Sequence, residues 1–192
     1  MSKRRIGVLA LQGAFAKHIE VLKAMGVEAI EVRTPTELVK CEGLIIPGGE
    51  STTIFKHLHF IKMLDEIAKF SQEKPMFGTC AGLILMSKKI LSPGVKPFGI
   101  IDVAVERNAF GRQAESFEIP LEVQLSPKNR FAFTGVFIRA PRIREWGSDV
   151  KILSEYNNEP VLVQHGFHMG ATFHPELTHD YRIHEHFLSL FK

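Results

Sequence analysis

The stretch FGTCAGL, residues 77–83, places Cys80 between Gly78 and Gly82, at the expected end of a buried strand and start of a helix. Glycines on both sides leave room for a strained turn that pushes a nucleophile into a cleft. Free N–H groups at a helix start favour the thiolate form of such a cysteine. Covalent catalysis by Cys80 is one interpretation. The other is a small apolar residue packed under a helix, the common use of a free cysteine.

A cysteine nucleophile acting on an acyl group needs a base, and the base usually needs a partner that orients it. The segment GATFHPE, residues 170–176, offers His174 and Glu176, joined by Pro175, at the expected end of a strand. Side chains two apart on a strand share one face, so we expect Glu176 to align His174 towards Cys80. A solvated loop histidine is the ordinary alternative. The two motifs together favour a Cys-His-Glu triad.

Catalysis at a carbonyl also requires donors for the developing oxyanion. The N–H of Ala81 follows the nucleophile, and the N–H groups of Gly48 and Gly49 follow another expected strand in the stretch PGGE. These three residues are the predicted oxyanion hole. A structural turn after a strand is the alternative for the Pro-Gly-Gly loop.

The sequence contains 9 histidines and 2 cysteines. Several histidines occur in short pairs, but no cysteine or carboxylate joins them at the spacing of a metal site. We therefore expect no bound metal, and solvated or interfacial roles for His57, His59, His165, His168, His184 and His186. Cys41 precedes an apolar strand and is expected to be an inert core residue.

Strand and helix patterns alternate over the first ninety residues. Short apolar runs at 5–11, at 27–32, within 41–50 before the Pro-Gly-Gly loop, and at 74–78 alternate with helical spacing at 14–26, 52–70 and 82–89. This alternation predicts a parallel sheet covered by helices on both faces. Ligands bind at the carboxyl ends of strands in such sheets, so the Gly48–Gly49 loop and Cys80 are expected to be neighbours.

The second half of the chain is rich in β patterns, with turn signals such as Asn157-Asn158 that indicate hairpins. A final helix is predicted over 180–191. The fold class is therefore α/β, with a mostly parallel central sheet and an antiparallel extension.

Composition limits the class of protein. The 192 residues, 45% of them hydrophobic, predict a single domain over 1–192. The net charge of +3 includes one small basic cluster, so we expect no nucleic-acid partner. The apolar run near the N-terminus is too short for a signal peptide or membrane span. We expect a cytoplasmic protein with free thiols.

Beyond these patterns, the sequence resembles the class I glutamine amidotransferases, which hydrolyse glutamine to glutamate and ammonia. The triad and the Pro-Gly-Gly loop carry that resemblance. The stretches LALQGAF, IPGGEST, FGTCAGLIL, ERNAFGRQ, FIRAP and FHPELT, in this order from Leu9 to Thr178, are similar to the glutaminase subunits of pyridoxal phosphate synthases. The resemblance implies a flavodoxin-like three-layer sandwich and no cofactor.

The resemblance also implies roles for individual residues. Gly49, Glu50 and Ser51 would line the L-glutamine site, and Arg107 with the Ile138–Arg139 pair would complete it. Arginine is a natural partner for a substrate carboxylate. A surface ion pair is the ordinary alternative for either arginine.

A barrel-shaped synthase subunit is the partner that the resemblance implies, in a hetero-oligomeric complex that uses the ammonia to build pyridoxal phosphate. It further implies a free chain of low activity, activated by docking, and the double glycine suggests a peptide that turns its N–H inward. The sequence departs from the family at HGFH (165–168) and MSKKIL (86–91), away from the catalytic positions. A glutaminase serving another synthase, and a non-enzymatic scaffold or redox-sensing thiol, stay as alternatives.

Overall fold

A seven-stranded sheet lies at the centre of the computed structural model, which describes residues 4–107, 109 and 116–191. The strands of the described residues are β1 (Arg5–Leu9), β2 (Glu28–Val32), β3 (Gly43–Ile46), β4 (Met76–Thr79), β5 (Ser87–Ile90), β6 (Ile101–Glu106), β7 (Ser116–Ser126), β8 (Asn129–Ile138), β9 (Arg142–Trp146), β10 (Val150–Tyr156), β11 (Glu159–His165) and β12 (His168–Ala171). The helices are α1 (Phe15–Ala24), α2 (Pro35–Val39), α3 (Ser51–Phe60), α4 (Leu64–Glu73), α5 (Ala81–Met86), α6 (Arg182–Ser189) and a 3-10 helix at Pro175–Leu177.

The central sheet has the order β10-β11-β12-β4-β3-β1-β2. Strands β12, β4, β3, β1 and β2 are parallel neighbours, whereas β10 and β11 add an antiparallel edge. The Asn157-Asn158 turn joins β10 and β11, and both residues have positive φ, at 51° and 61°. The predicted α/β class, the mostly parallel sheet and the antiparallel extension are confirmed.

Alternate residues of the central strands enter two different hydrophobic cores. In β3, Leu44 and Ile46 pack with α3, α4 and α5, whereas Ile45 packs with α1 and α6 on the other face. The sheet is therefore the middle of three layers. Burial on both faces explains why its strands read as continuous apolar runs in the sequence.

The hairpin of β7 and β8 packs over one of these cores. The rings of Phe117 and Phe137 stack with centroids 4.8 Å apart, and Phe137 contacts Phe173 at 5.5 Å. This hairpin ends at Ile138, so its packing fixes the backbone that leads into Arg139. A third small sheet has the order β5-β6-β9 and leads, through β6, into Arg107.

The single helix predicted over 52–70 is wrong, because α3 ends at Phe60 and α4 begins at Leu64. The break is a Schellman motif. The N–H of Met63 donates to the carbonyl of Leu58 at 2.9 Å, and that of Lys62 to His59 at 3.1 Å. Lys62 has φ 58°. Glycine is the usual residue there, so a lysine gave no signal of a helix end.

One further boundary differs from the sequence predictions, and two elements were not predicted. The helix predicted over 82–89 ends at Met86, because Ser87 adopts extended backbone and starts β5, and its hydroxyl donates to the carbonyl of Ile84 at 2.8 Å. The short helix α2 was missed, although Thr34 and Glu37 form a capping box at its start. Strand β9 was missed as well.

Within the described residues, we find no helix long and apolar enough to cross a membrane.

The left-handed backbone at Lys62 predicts an unusual stabilising substitution. Lys62→Gly should raise the free energy of unfolding by about 0.5–1 kcal/mol, since the strain of an L residue there, about 1–2 kcal/mol, exceeds the entropy that glycine adds to the unfolded chain. Urea unfolding followed by circular dichroism measures the change.

Lys56, exposed in the middle of α3, provides the matched control. Lys56→Gly should lower the free energy of unfolding by about 1 kcal/mol. Two substitutions that shift stability in the same direction would contradict the assignment of strain to Lys62.

Candidate active site

Cys80 lies on a strained turn between β4 and α5. Its backbone has φ 50° and ψ −106°, and its N–H donates to the carbonyl of Ala171 at 2.8 Å. The flanking glycines leave no space for side chains: a Cβ on Gly78 would lie 2.6 Å from the carbonyl carbon of Gly82, and one on Gly82 would lie 1.9 Å from the oxygen of Ile46. The tight turn predicted from the glycine spacing is present, and it holds Cys80 at the carboxyl end of β4.

His174 and Glu176 interact directly, but not as neighbours on one strand face. Strand β12 ends at Ala171, and the two residues belong to the 3-10 helix, with His174 at its N-cap and Pro175 in its first turn. The predicted strand geometry is therefore wrong. The 3-10 turn itself brings His174 Nδ1 to 2.7 Å from Glu176 Oε1, and the N–H of His174 donates to the carbonyl of Val136 in β8 at 2.8 Å.

Charge is concentrated on this pair. Burial acts to lower the pKa of His174, but hydrogen bonds with Cys80 and Glu176 outweigh it and raise that pKa to about 10. Burial acts to raise the pKa of Glu176, and the neighbouring His18 and His174 lower it overall. The structure thus pairs His174 with Glu176 by a hydrogen bond and places Cys80 close enough to raise the pKa of that imidazole, while the thiol itself lies 3.8 Å from the carbonyl oxygen of Ile138.

The Gly48–Gly49 loop follows β3 and lies against Cys80 and His174. A Cβ on Gly48 would be 2.4 Å from His174 Cε1 and 3.4 Å from the Cβ of Cys80. The predicted proximity of the loop to Cys80 is confirmed. Ala81 begins α5 directly after Cys80, so the backbone of Gly48, Gly49 and Ala81 surrounds one side of the thiol.

Sequence reasoning missed a contact from the β1–α1 loop. Gln12 Oε1 accepts a hydrogen bond from the N–H of Glu50 at 3.1 Å, and a Cβ on Gly13 would lie 1.8 Å from the oxygen of Gly48. The position of LALQG after the first strand was the available signal, since every parallel strand ends at this edge.

A cavity of about 150 Å³ opens beside the thiol. It contains all the residues that the sequence assigned to substrate binding, together with Ile84, which was not predicted. Its lining is Gly49, Glu50, Ser51, Cys80, Ile84, Arg107, Ile138, Arg139 and His174. Part of the motif ERNAFGRQ, namely Asn108 and residues 110–113, lies outside the described residues.

Arg107 is held at the cavity by α3 and by the loop after β5. Its Nη1 lies 3.2 Å from the hydroxyl of Thr52 and 3.4 Å from that of Ser51, and its Nη2 donates to the carbonyl of Pro93. Its Nε is buried without a hydrogen-bond partner in the described part of the chain. Arg107 nevertheless lines the cavity together with Cys80 and His174.

Glu50 is an ionised N-cap. Its carboxylate accepts hydrogen bonds from the N–H groups of Thr52 and Thr53 at 3.0 and 2.7 Å. Burial acts to raise the pKa of Glu50, but these bonds prevail and lower it to about 2. Glu50 therefore fixes the start of α3, which carries Ser51 and Thr52 to Arg107.

The expectation for the remaining histidines is wrong at two positions. His184 is fully buried, with Nε2 3.1 Å from Nδ1 of the equally buried His18 in α1, and His168 is buried as well. His57 and His59 are exposed, as expected. Helix α6 places His184 on its inner face, which the spacing of the HEH pair alone did not reveal.

Cys41 is buried, as predicted for a core residue. Its thiol donates to the carbonyl of Glu37 at 3.3 Å, and burial raises its pKa to about 11. It therefore stays a neutral thiol at physiological pH.

Comparisons with known proteins match the whole described fold. The model of the SNO glutamine amidotransferase family matches residues 8–192. A pyridoxal 5'-phosphate synthase subunit PdxT from Pseudothermotoga lettingae is 49% identical over 187 residues, 96% of this chain and 94% of that protein. The subunit of the same name from Thermotoga maritima is 45% identical and aligns over 98% of this chain and 100% of that protein.

Solved structures agree with the sequence relatives. A glutamine amidotransferase crystal structure has a TM-score of 0.89 and 47% identity, covering 96% of this chain and 97% of that one. PurLQS from Thermotoga maritima has a TM-score of 0.72 at 19% identity, with both chains fully covered, and shares the fold alone. On the family model and the relatives above 40% identity, this chain belongs to the SNO glutamine amidotransferase family and is an enzyme of the glutamine amidotransferase class.

Proposed function

We propose that this chain hydrolyses L-glutamine through Cys80, His174 and Glu176 and delivers the ammonia to a pyridoxal phosphate synthase subunit. The observation that carries the proposal is the hydrogen bond between His174 and Glu176 next to Cys80, at a cavity that Cys80, His174 and Arg107 all line. A nucleophile, a base and an orienting carboxylate in this order are what amide hydrolysis requires.

The reaction begins at the side-chain amide carbon of glutamine. The Cys80 thiolate forms a bond to this carbon, and the carbonyl electron pair moves onto the oxygen. We assign the backbone N–H groups at Gly48, Gly49 and Ala81 to the stabilisation of that oxyanion, because Gly48 lies against Cys80, Gly49 lines the same cavity, and Ala81 follows Cys80 at the start of α5. Family resemblance supports the assignment, and the docked state is where we expect the donors to align.

His174 supplies and recovers the proton. As a cation it donates a proton to the departing amide nitrogen, so that ammonia leaves and a thioester to Cys80 remains. The neutral imidazole then takes a proton from water, whose oxygen attacks the thioester carbon. Glutamate is released, and the thiolate and the imidazolium are regenerated. Glu176 stays ionised throughout and stabilises the cationic form of His174.

Substrate placement is assigned to the cavity lining. Arg107, a cation that lines the cavity, is proposed to bind the α-carboxylate of glutamine. The backbone of Gly49, Glu50 and Ser51, together with Ile138 and Arg139, forms the remaining walls. Arg139 has φ 44°, a strained backbone of the kind that clusters at ligand sites.

The partner is inferred from the relatives, which are named as subunits of pyridoxal 5'-phosphate synthase. Ammonia in bulk water becomes ammonium, which has no lone pair for attack, so its use requires a closed path between subunits. We therefore propose a hetero-oligomeric complex with the barrel-shaped synthase subunit, in the cytoplasm, in which docking completes the oxyanion hole. The whole of 1–192 acts as one amidotransferase domain in this proposal.

Glutamate release from glutamine tests the proposed chemistry. We expect the chain mixed with the synthase subunit to release glutamate strongly, the chain alone weakly, and Cys80→Ala not at all under either condition. Cys41→Ala, at the other, buried thiol, should keep the activity of the unsubstituted complex. Full activity of the free chain would contradict activation by docking, and activity in Cys80→Ala would contradict the nucleophile.

We expect a substitution of Arg107 to change the affinity for glutamine rather than the rate of the chemical step. Arg107→Lys should raise the KM for glutamine about tenfold or more and change kcat little, because a lysine ammonium cannot reproduce the planar set of guanidinium donors that Ser51, Thr52 and Pro93 hold in place. Steady-state kinetics of the complex measure both constants. A lower kcat at unchanged KM would show that Arg107 does not hold the substrate carboxylate.

The basic His174 predicts a pH dependence of stability. Its pKa is about 10 in the fold against an ordinary value of 6.5, so its stabilisation is fully present below pH 6.5 and is lost as pH rises towards 10. The difference in unfolding free energy between the unsubstituted chain and His174→Gln should therefore shrink between pH 6 and pH 9.5.

Urea unfolding at a series of pH values measures this difference. His179→Gln, at an exposed histidine, is the control and should differ from the unsubstituted chain by a constant small amount. A difference for His174→Gln that stays constant or grows with pH would show that the imidazole carries no retained proton.

A further inference from the structure

Glu176 has a second oxygen that the triad does not use. Oε1 bonds to His174, whereas Oε2 is buried and, among the described residues, has no partner in hydrogen-bond geometry. Nε2 of His18 lies 3.4 Å from Glu176 Oε2. Both side chains are fully shielded from solvent, so water does not satisfy this oxygen.

His18 approaches the site from α1, which covers one face of the central sheet. It lies in α1, 158 residues before Glu176, and its Nε2 is also 3.2 Å from the hydroxyl of Thr79. Thr79 is the residue directly before Cys80. One imidazole nitrogen therefore lies between the triad carboxylate and the strand end that carries the nucleophile.

The tautomer of His18 follows from its surroundings. A proton on Nε2 faces an ionised carboxylate, whereas a lone pair there would repel it. Nδ1 then accepts from Nε2–H of His184, at 3.1 Å. Burial lowers the pKa of both His18 and His184, so the pair is neutral and acts by hydrogen bonding.

The cost of burying an unpaired carboxylate oxygen argues against an accidental placement of His18 beside Glu176. An unpaired carboxylate oxygen in a dry interior is costly, and removing one partner of a buried charge is strongly destabilising. The rings of Phe77 and Phe187 pack around this cluster. Its polar side chains contact one another in the series His184, His18, Glu176 and His174. A purely apolar side chain at position 18 would remove the Nε2–H that faces Glu176 Oε2.

We propose that His18 is a positioning residue for the triad: its Nε2–H holds Glu176 Oε2, so that Oε1 stays directed at His174 Nδ1. Its effect on turnover rests on the proposed glutaminase function, whereas its effect on the Cys80–His174 pair does not. Catalytic contacts are often long before substrate binds and tighten afterwards, and the 3.4 Å separation leaves room for such a shift.

The titratable and charged groups that bear on His18 come from two elements. Glu176 and His174 face it from the 3-10 helix, and His184 faces it from α6. Thr79 contributes a hydroxyl from β4. Of these, the Glu176 carboxylate is the group whose protonation His18 opposes, so loss of His18 should act on the acidic side of a pH profile.

Two substitutions separate hydrogen bonding from packing. His18→Leu removes the donor, whereas His18→Gln can place an N–H near the position of Nε2. Phe187→Leu is the matched control, because Phe187 is fully buried, offers no hydrogen-bond donor, and packs on Phe77 beside the same cluster. Thermal unfolding of all three variants establishes how much stability each has lost.

The first readout is steady-state glutamate release by the complex with the synthase subunit. His18→Leu should lower kcat about tenfold to a hundredfold, the range of one hydrogen bond to a charged group, and leave KM within about twofold. His18→Gln should recover most of kcat. Phe187→Leu should keep it, even at a comparable loss of Tm.

The second readout needs no glutaminase activity. Iodoacetamide alkylation of Cys80 in the free chain, located by peptide mass spectrometry, reports the thiolate held by His174. For His18→Leu, the rate at pH 6–7 should fall and the midpoint of the pH profile should move to higher pH, with recovery in His18→Gln.

The two readouts distinguish a failure of the His18 proposal from a failure of the proposed glutaminase function. Unchanged kcat and an unchanged alkylation profile in His18→Leu would overturn the proposal, as would equal losses in both His18 variants and Phe187→Leu. If the unsubstituted complex released no glutamate, the proposed function would fail, and the alkylation profile would still decide the role of His18.

Discussion

The strained backbone of Cys80 is the constraint on which the site depends. A non-glycine residue at φ 50° costs about 1–3 kcal/mol and persists only where its surroundings over-determine it. Here the hydrogen bond to Ala171 fixes one side of the turn, and the contact of Gly82 with the carbonyl of Ile46 fixes the other. The carboxyl ends of strands β3, β4 and β12 must therefore lie at the same level of the sheet. This alignment also brings the Gly48–Gly49 loop and His174 to the thiol.

Electrostatics depend on this packing in turn. His174 and Glu176 are nearly excluded from water, so each charge is tolerable only because the other is present. Burial acts to lower the pKa of the imidazole and to raise that of the carboxylate. Hydrogen bonds with Cys80 and Glu176 reverse the first tendency, and the neighbouring His18 and His174 reverse the second. The Cys80 turn supplies geometry, and the buried pair supplies a basic imidazole at the position that the geometry dictates.

Local patterns predicted the fold and most of the site, and they failed where long-range contacts decide. Strand–helix alternation and the glycines around Cys80 placed the central sheet and the elbow correctly. They did not reveal the helix break at Lys62, because its left-handed backbone is stabilised by a Schellman motif without glycine. They also placed His174 and Glu176 on a strand, although a 3-10 turn with Pro175 brings them together.

The segment from Gln12 to His18 illustrates why such contacts escape sequence reading. At its start, Gln12 accepts a hydrogen bond from the N–H of Glu50 next to the Gly48–Gly49 loop, and at its end, His18 faces Glu176. Nothing in its composition marks it as part of a site, since a polar loop and a histidine inside a helix are ordinary features. Parallel strand order makes it important: β1 lies beside β3, so the loop after β1 necessarily borders the loop after β3. The strand order, rather than the residue types, places the segment from Gln12 to His18 next to both the Gly48–Gly49 loop and Glu176.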